Sequence, residues 1–485
     1  MTPVVLAGES DGLAQSATGP ITQDLERMNL GGESGSLLMD KVPQELLIEI
    51  FQFAVVAHGG RANAVNPLFL GKICRSWRAT VFENCTFWQE VNLLINPHCS
   101  TQISLLAEWT ARAGSLPLSV SIVDPNGLLS TEEELTRLLG LIRSLSPRTN
   151  SLALETPIPF YDEWQNSGLA DYSWPLLSNL SLSTTKGGSD LSDPESKLDF
   201  PSCPMLTTAT ITSFYHCYIS LPWRTLVHLR FDSVFCSELY TAFQSCTSLE
   251  TLKAHKIVED NALVGDATLH RPLKSLTLKL ERYEGHSKEC CRIFNSLRIP
   301  ELRTLKITLG PIRPAAKVHR FNMYPCISQS RCQLSELSIE GASLKEQIFL
   351  DCLRLLPSLS TLRLSNNAWL DAQSQPTLLG PSFLMFILAT GPAQPPILPN
   401  LKALTFVGSV VKFSAALLVE LLATRWDNLG DEVGELATLQ SVVFAPDPSG
   451  HIWEVSEGQE AVFEEWRQRG YGIKVGGRTE VLIPR

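Results

Sequence analysis

The chain has 485 residues, a formal net charge of −10, and only 19% charged residues. An acidic, sparsely charged chain offers no broad basic face, so general nucleic-acid binding is not expected. The length supports a large core and more than one domain. No run approaches the roughly 18 uninterrupted apolar residues of a membrane span, so no membrane association is expected.

Residues 1–40 are rich in Gly, Ser, Thr and acidic residues. They predict a disordered arm with at most a short helix near Asp24–Asn29. The arm lacks a basic run followed by an apolar core, so no secretory signal is expected. The 12 cysteines are scattered without a CxxC pair, several within apolar patterns. They read as reduced, mostly buried thiols of an intracellular protein, in the cytoplasm or nucleus.

Val42–Leu93 predicts two short helices, a turn and a strand. Pro43 suits a first helical turn, where its missing N–H costs nothing. Leu46, Leu47, Ile50, Phe51, Ala54 and Val55 recur at helical spacing and form one broad apolar stripe. Gly59-Gly60 breaks that helix. A second helix is expected to carry Leu70, Ile73, Cys74, Trp77 and Val81, with Lys72, Arg75 and Arg78 on other faces. Phe87-Trp88 closes the segment, and Val91 and Leu93 alternate as in a strand. Two helices of this size cannot bury so much apolar surface on each other. Part of the stripe must pack on the rest of the chain, as a helical cap, or on a partner.

The succession VPQELLIEIFQFAV, ICRSWR and FWQEVNL resembles an F-box. In particular it resembles the F-box-like proteins abundant in mushroom-forming fungi, whose pattern runs roughly LP-x-E-[IL]-L-x-x-IF, then VC-x-x-WR, then LW-x-x-[IV]-x-L. Val42 stands where Leu is usual. The match covers residues 41–93, about a tenth of the chain. The resemblance implies docking to a Skp-type adaptor and, through it, to a cullin. The implied contacts are Val42, Pro43, Leu46, Leu47, Ile50 and Phe51 on the first helix, and Ile73, Cys74 and Trp77 on the second.

Residues 94–148 read as connecting helices and a first strand, or a cap. Ser100–Ala113 predicts a helix with Ile103, Leu106 and Trp109 or Thr110 inward, ended by Gly114. Leu118, Val120 and Ile122 alternate as a strand, and Asp124-Pro125-Asn126-Gly127 turns the chain. Ser130 and Glu133 fit a capping box for a helix carrying Leu135, Leu138, Leu139, Ile142 and Leu145.

From residue 149 the chain repeats. The pattern L-x-x-L-x-L, with other apolar residues allowed, recurs from Leu177, Leu206, Leu226, Leu249, Leu273, Leu302, Leu334, Leu359, Leu401 and Leu439, after a degenerate copy at Thr149. Successive steps are 29, 20, 23, 24, 29, 32 and 25 residues, then 42 and 38. This is a leucine-rich-repeat period, one strand and one return per unit, and such units bury their apolar faces only by stacking. The expected fold is α/β: an N-terminal helical F-box, then an irregular leucine-rich solenoid (a horseshoe) over 149–485. Insertions interrupt it at 186–201 (acidic), 310–331 (basic, with Arg313, Lys317, His319, Arg320 and Arg331) and 370–399 (Pro-rich, around a helix Phe383–Ala389). Ser343 and Glu346 are expected to cap a helix before Leu359. Phe413–Trp426 and Glu460–Arg469 predict helices, and Ile473–Val475 a final strand capping the open end.

No phosphate-binding glycine loop, G-x-S-x-G elbow, HExxH or zinc-spaced His/Cys cluster occurs. The vicinal Cys290-Cys291 and His216-Cys217 read as structural. The chain is therefore not expected to be an enzyme or to hold a cofactor or metal. In L-x-x-L-x-L the third and fifth positions face outward. The fifth position reads Ser181, Thr210, Arg230, Lys253, Thr277, Lys306, Ser338, Arg363, Thr405. Four cations and no carboxylate in that row make Arg230, Lys253, Lys306 and Arg363 candidate contacts for an acidic or phosphorylated protein substrate. The resemblance implies a substrate-recognition subunit of a Skp–cullin–F-box ubiquitin ligase. The rival expectation is a leucine-rich-repeat binding scaffold unrelated to ubiquitination.

Overall fold

A computed structural model describes residues 42–56, 67–97, 99–129, 131–167, 172–184, 198–200, 202–258, 268–270, 272–280, 294–309, 322–341, 345–365, 379–388, 397–408, 414–427, 437–445 and 455–475. The chain divides into two compact units. One comprises residues up to Gln89 with Trp109–Leu116, the other Glu90–Glu108 with Pro117–Arg485. The expected N-terminal arm lies outside the described residues.

The first unit is helical. Helix α1 spans Gln44–Val56, α2 Pro67–Ile73 and α3 Arg75–Glu83, followed by a 3-10 turn at Cys85–Trp88. The last turn of α4 (Cys99–Arg112) also belongs to it. The single second helix expected over Leu70–Val81 is two helices. Cys74 takes an extended conformation (φ −153°, ψ 172°), and its Sγ accepts the Trp77 N–H at 3.4 Å. That thiol caps α3, satisfying a donor that a helix start leaves free. On the other side of the break, Arg78 Nε donates to the Gly71 carbonyl at 2.8 Å. The core of the unit is aromatic. Phe51 lies 4.5 Å from Trp77 and 6.2 Å from Phe87 by ring centroid. Trp88 donates through Nε1 to the Val81 carbonyl at 3.0 Å and meets Trp109 edge-on at 4.7 Å.

The second unit is a long parallel sheet with helical returns, a mixed α/β arrangement consistent with a solenoid-like fold. Fourteen strands lie side by side in chain order, with a fifteenth, Val234–Phe235, pairing beside them. They are β1 Glu90–Leu94, β2 Leu118–Val123, β3 Thr149–Thr156, β4 Asn179–Thr184, β5 Thr208–Thr212, β6 His228–Phe231 and β7 Thr251–Val258. Then follow β8 Ser275–Leu280, β9 Thr304–Leu309, β10 Glu336–Glu340, β11 Thr361–Ser365, β12 Ala403–Val407, β13 Ser441–Ala445 and β14 Gly472–Val475. The sheet starts two strands earlier than the repeat expected from residue 149. It includes β1, which the sequence reading placed at the end of the N-terminal helical segment. At the other end β14 pairs parallel with β13 and extends the sheet.

Register explains the leucine pattern. The second apolar position forms an unbroken row from Val91 through Val120, Leu152 and Leu180, on through Leu252, Leu276 and Leu305, to Val442 and Ile473. The first leucine of all ten motif copies, Leu177 to Leu439, is 0–1% exposed. Between strands a small hydrogen-bond device recurs. The N–H groups of Glu250 and Thr251 share the Val227 carbonyl, those of Lys274 and Ser275 share that of Glu250, and those of Arg303 and Thr304 share that of Lys274. It repeats as far as Gln440 and Ser441 on Lys402. Each repeat thus closes its turn on the previous one, whatever length its return has.

The returns contain α5 Glu132–Leu145, α6 Ile158–Asn166, α7 Cys236–Ser245, α8 Tyr324–Ser330, α9 Glu346–Arg354, α10 Pro381–Leu388, α11 Ala415–Asp427 and α12 Glu457–Gln468. Two caps differ from expectation. Helix α5 starts on Thr131, whose hydroxyl accepts the Glu134 N–H at 3.3 Å and donates to Glu134 Oε2 at 2.8 Å. The cap therefore stands one residue after the expected Ser130, which lies outside the described residues. Helix α9 has Lys345 at its cap, and Glu346 serves α10 instead. Its carboxylate accepts the Gly380 N–H at 2.7 Å and the Ser382 hydroxyl at 2.6 Å. The segment 310–331 is not a loop throughout. Its second half is α8, closed by Arg331 in the left-handed region at φ 50°. Arg313, Lys317, His319, Arg320 and Cys290-Cys291 lie outside the described residues. The insertion 186–201 ends in a short strand, Leu198–Asp199, paired with Ile219–Ser220.

Buried polar groups pin the returns. Asp124 is fully buried at the turn after β2 and accepts the N–H groups of Leu128 and Leu129, both at 2.9 Å. Arg425 of α11 is buried and donates to the carbonyls of Ile387 at 3.2 Å and Leu398 at 3.0 Å. Burial lowers its pKa to about 10. Burial also pushes the Cys203, Cys246, Cys326 and Cys352 thiols up to about 12, so they sit as protonated core side chains. Cys74 and Cys85 are exposed. Among the described residues no helix is long and apolar enough to cross a membrane.

Candidate functional site

The sequence-derived helical site divides into an inward and an outward half. On α1, Leu47 and Phe51 are 5% and 1% exposed and belong to the unit's own core. Their neighbours Leu46 and Ile50 are 50% and 56% exposed. The single stripe read from the sequence is thus two faces, and Leu47 and Phe51 are not surface contacts. Val42 is half-buried and Pro43 exposed, with the Pro43 carbonyl accepting the Leu47 N–H at 3.1 Å. On the α2–α3 side Ile73 and Cys74 are exposed, while Trp77 is half-buried against Phe51.

The outward half is larger than the sequence reading allowed. Phe53 is 75% exposed and Phe69 58%, with Leu68 also exposed. Leu46, Ile50 and Phe53 follow at four and three residues, which places them on one helix face. Phe69 and Ile73 are likewise four apart on α2. Apolar side chains half or more in water give up roughly 1–2 kcal/mol each when a partner covers them. The signal was present in the spacing of Phe53, but helix period alone does not say which edge of a wide stripe faces water.

The second candidate lies on the sheet. Arg230, Lys253, Lys306 and Arg363 occupy one register row, linked through Lys253↔Arg230, Thr277↔Lys253, Lys306↔Thr277, Ser338↔Lys306 and Arg363↔Ser338. All four are exposed. The row itself holds no carboxylate, but neighbouring rows supply some. Asp232, beyond the end of β6, accepts from Arg230 Nε at 3.0 Å and Nη2 at 2.8 Å. It also accepts the Thr212 hydroxyl at 3.0 Å and faces His255 Nδ1 at 3.0 Å. Burial alone would raise the Asp232 pKa. The hydrogen bonds from Arg230 and Thr212, with the charges of Arg230 and His255, outweigh that and hold it below the ordinary value. Lys306 pairs with Glu336 at 2.8 Å. Lys253 and Arg363 have no ion-pair partner among the described residues.

Asp232 and His255 were absent from the sequence-derived site. Asp232 sits past the repeat motif. His255 lies two residues past Lys253 on the same outward face, beyond the motif copy that starts at Leu249; a bulge follows it, where Lys256 takes φ 48° and the register shifts between Ala254 and Ile257. Among the described residues no group of three or more His, Cys, Asp or Glu side chains is placed to hold a metal.

No protein-family model and no curated protein matches the chain. Among solved structures it is similar to a crystal structure of a Bacteroides fragilis protein, a structural-genomics target, at 16% identity. That match covers 51% of this chain and 72% of the other, with a TM-score of 0.30.

Proposed function

We propose that the chain is a substrate-recognition subunit of a Skp–cullin–F-box ubiquitin ligase, working inside the cell. Its N-terminal helices form an F-box that docks a Skp-type adaptor, and its sheet is an irregular leucine-rich-repeat surface that holds a protein target. The protein has no chemistry of its own in this reading. It raises the local concentration of target beside the ligase's catalytic subunits.

The observation that carries the proposal is the exposure of Leu46, Ile50 and Phe53 on a helix whose opposite face is already packed. A helix that served only as a cap would turn such residues inward. Leu46, Ile50, Ile73 and Cys74, four of the contacts implied by the F-box resemblance, are all exposed. Leu47 and Phe51 support the surface from behind.

The test is co-expression with a Skp-type adaptor, followed by affinity capture and size exclusion, with Leu46→Asp/Ile50→Asp alongside. A one-to-one complex lost in the double variant is expected. A folded, monodisperse wild-type chain that forms no complex overturns the ubiquitin reading and leaves a leucine-rich-repeat scaffold with an N-terminal helical cap.

A further inference from the structure

The exposed face of the sheet has one place where a cluster of cations surrounds a short, neutral floor. Thr277 of β8 stands in register between Lys253 of β7 and Lys306 of β9. Lys279 follows two residues along β8, between the buried Leu278 and Leu280, and shares the outward face. Strands lie about 4.8 Å apart and alternate residues about 6.7 Å apart along a strand. Three lysine stems therefore rise on three sides of one threonine hydroxyl.

Three outward positions on each of β7, β8 and β9 make up this patch. Three are these lysines, one is His255, and the other five, Thr277 included, are serine or threonine. None is a carboxylate. Lys253, Lys279 and Lys306 are exposed, whereas Thr277 is half-buried. Short hydroxyl residues form the floor and long cationic ones the walls. Lys253 and Lys279 have no ion-pair partner among the described residues. Lys306 has only its half-exposed pair with Glu336, a kind of contact that contributes little in water.

We propose that this patch on β7–β9 binds a phosphorylated serine or threonine side chain presented on an extended segment of a partner protein. The site chemistry favours a phosphoryl group over a carboxylate. Ammonium groups act as point charges arriving from several directions, and a phosphoryl group answers with nearly two negative charges on three tetrahedral oxygens. The planar fork that suits a carboxylate belongs to arginine, and the nearest one, Arg230, has both Nε and Nη2 committed to Asp232. Carboxylates also bound the patch: Asp232 on the β6 side, Glu336 and Glu340 on β10. A single phosphoryl fits between them, while the string of phosphates on a nucleic acid would meet both flanks. This inference names the class of target for the receptor proposed above and rests on that reading for its biological role.

The test uses the purified full chain without adaptor. Two matched fluorescent pools of 15-residue peptides are titrated, one with a central phosphoserine or phosphothreonine, the other with the unmodified residue. Binding of the phosphorylated pool at least tenfold tighter is expected, falling as salt rises. Lys253→Ala/Lys279→Ala should abolish the preference at unchanged melting temperature, whereas Lys402→Ala, in the turn before β12, should keep it. Equal binding of both pools, a preference that survives the double variant, equal binding of a glutamate-centred pool, or equal competition by a single-stranded oligonucleotide each overturns the inference. Adaptor capture on the same preparation separates the two proposals. A chain that captures adaptor but ignores phosphorylation loses only the present one, and a chain with the peptide preference but no adaptor loses only the ligase assignment.

Discussion

Substituting adjacent residues of α1 should have opposite consequences. Phe51 is 1% exposed and packs on Trp77 and Phe87. Phe51→Ala removes a buried ring and leaves a cavity, a loss of about 3–5 kcal/mol. Ile50 is 56% exposed, so Ile50→Asp forfeits less than half of a burial term of about 2 kcal/mol, plus about 0.3 kcal/mol of helix propensity. Global melting would blur the contrast, because the large sheet dominates it. Hydrogen exchange of the α1–α3 amides in the full chain reads it directly, since protection follows the free energy of local opening. Phe51→Ala should lower protection there by roughly two to three and a half orders of magnitude, and Ile50→Asp by about one or less, at about 1.4 kcal/mol per tenfold. If Ile50→Asp matched Phe51→Ala, the exposed face would be part of the fold's internal packing, and the argument for a docking surface would collapse.

Leu252 is fully buried in register between Leu229 and Leu276, so Leu252→Ala should cost about 2–5 kcal/mol. An unchanged denaturant midpoint would refute the register. Thr131→Ala should weaken the start of α5 by about 1 kcal/mol, seen as faster exchange confined to its first turn; unchanged exchange there would refute the cap. Asp232 has a folded pKa depressed below its unfolded value near 3.9. Its stabilising effect is therefore complete above that value and disappears as pH falls through the folded pKa. Asp232→Asn should be less stable than wild type at pH 7, with the gap narrowing in acid; a gap that stays constant as pH falls below the ordinary carboxylate range contradicts the charge-based account.

The repeat was legible because its leucines carry two signals at once. Leu177 and its counterparts mark a spacing along the chain, and each sits at a point where the backbone must turn inward. Register across the sheet follows from that spacing. The returns were less legible because a helix start depends on which of several adjacent hydroxyls and carboxylates closes the turn. Thr131 takes the role expected of Ser130, and Glu346 reaches past its own helix to hold Gly380 and Ser382. The break at Cys74 was hidden for a related reason, since a cysteine capping a helix through its sulfur is not a common start signal. Strands β1 and β2 were missed as members of the repeat because Val91, Val120 and Ile122 stand at inward positions where the motif usually has leucine, and no leading leucine announces β1.

The outward rows present a different problem, and it bears on how function is to be found in a chain of this kind. The inward rows alone suffice to stack the strands: Val91 to Ile473 make an unbroken apolar line, and the shared carbonyl device closes each turn through backbone atoms. Nothing in that construction asks for lysine at 253, 279 or 306. Threonine, which occupies so many equivalent positions, would serve the sheet better, since β-branched residues suit a pleated surface and lysine is depleted there. Each of these lysines departs from what the fold favours, and they occur together on adjacent strands with carboxylates displaced to the flanks. Where local preference and observed residue part company in a cluster, the cause lies outside folding. The same logic applies to Ile50 and Phe53, which lower solubility while adding little to a helix already anchored by Leu47 and Phe51. The proposed adaptor, with its apolar face, and the proposed phosphorylated target would each supply such a reason.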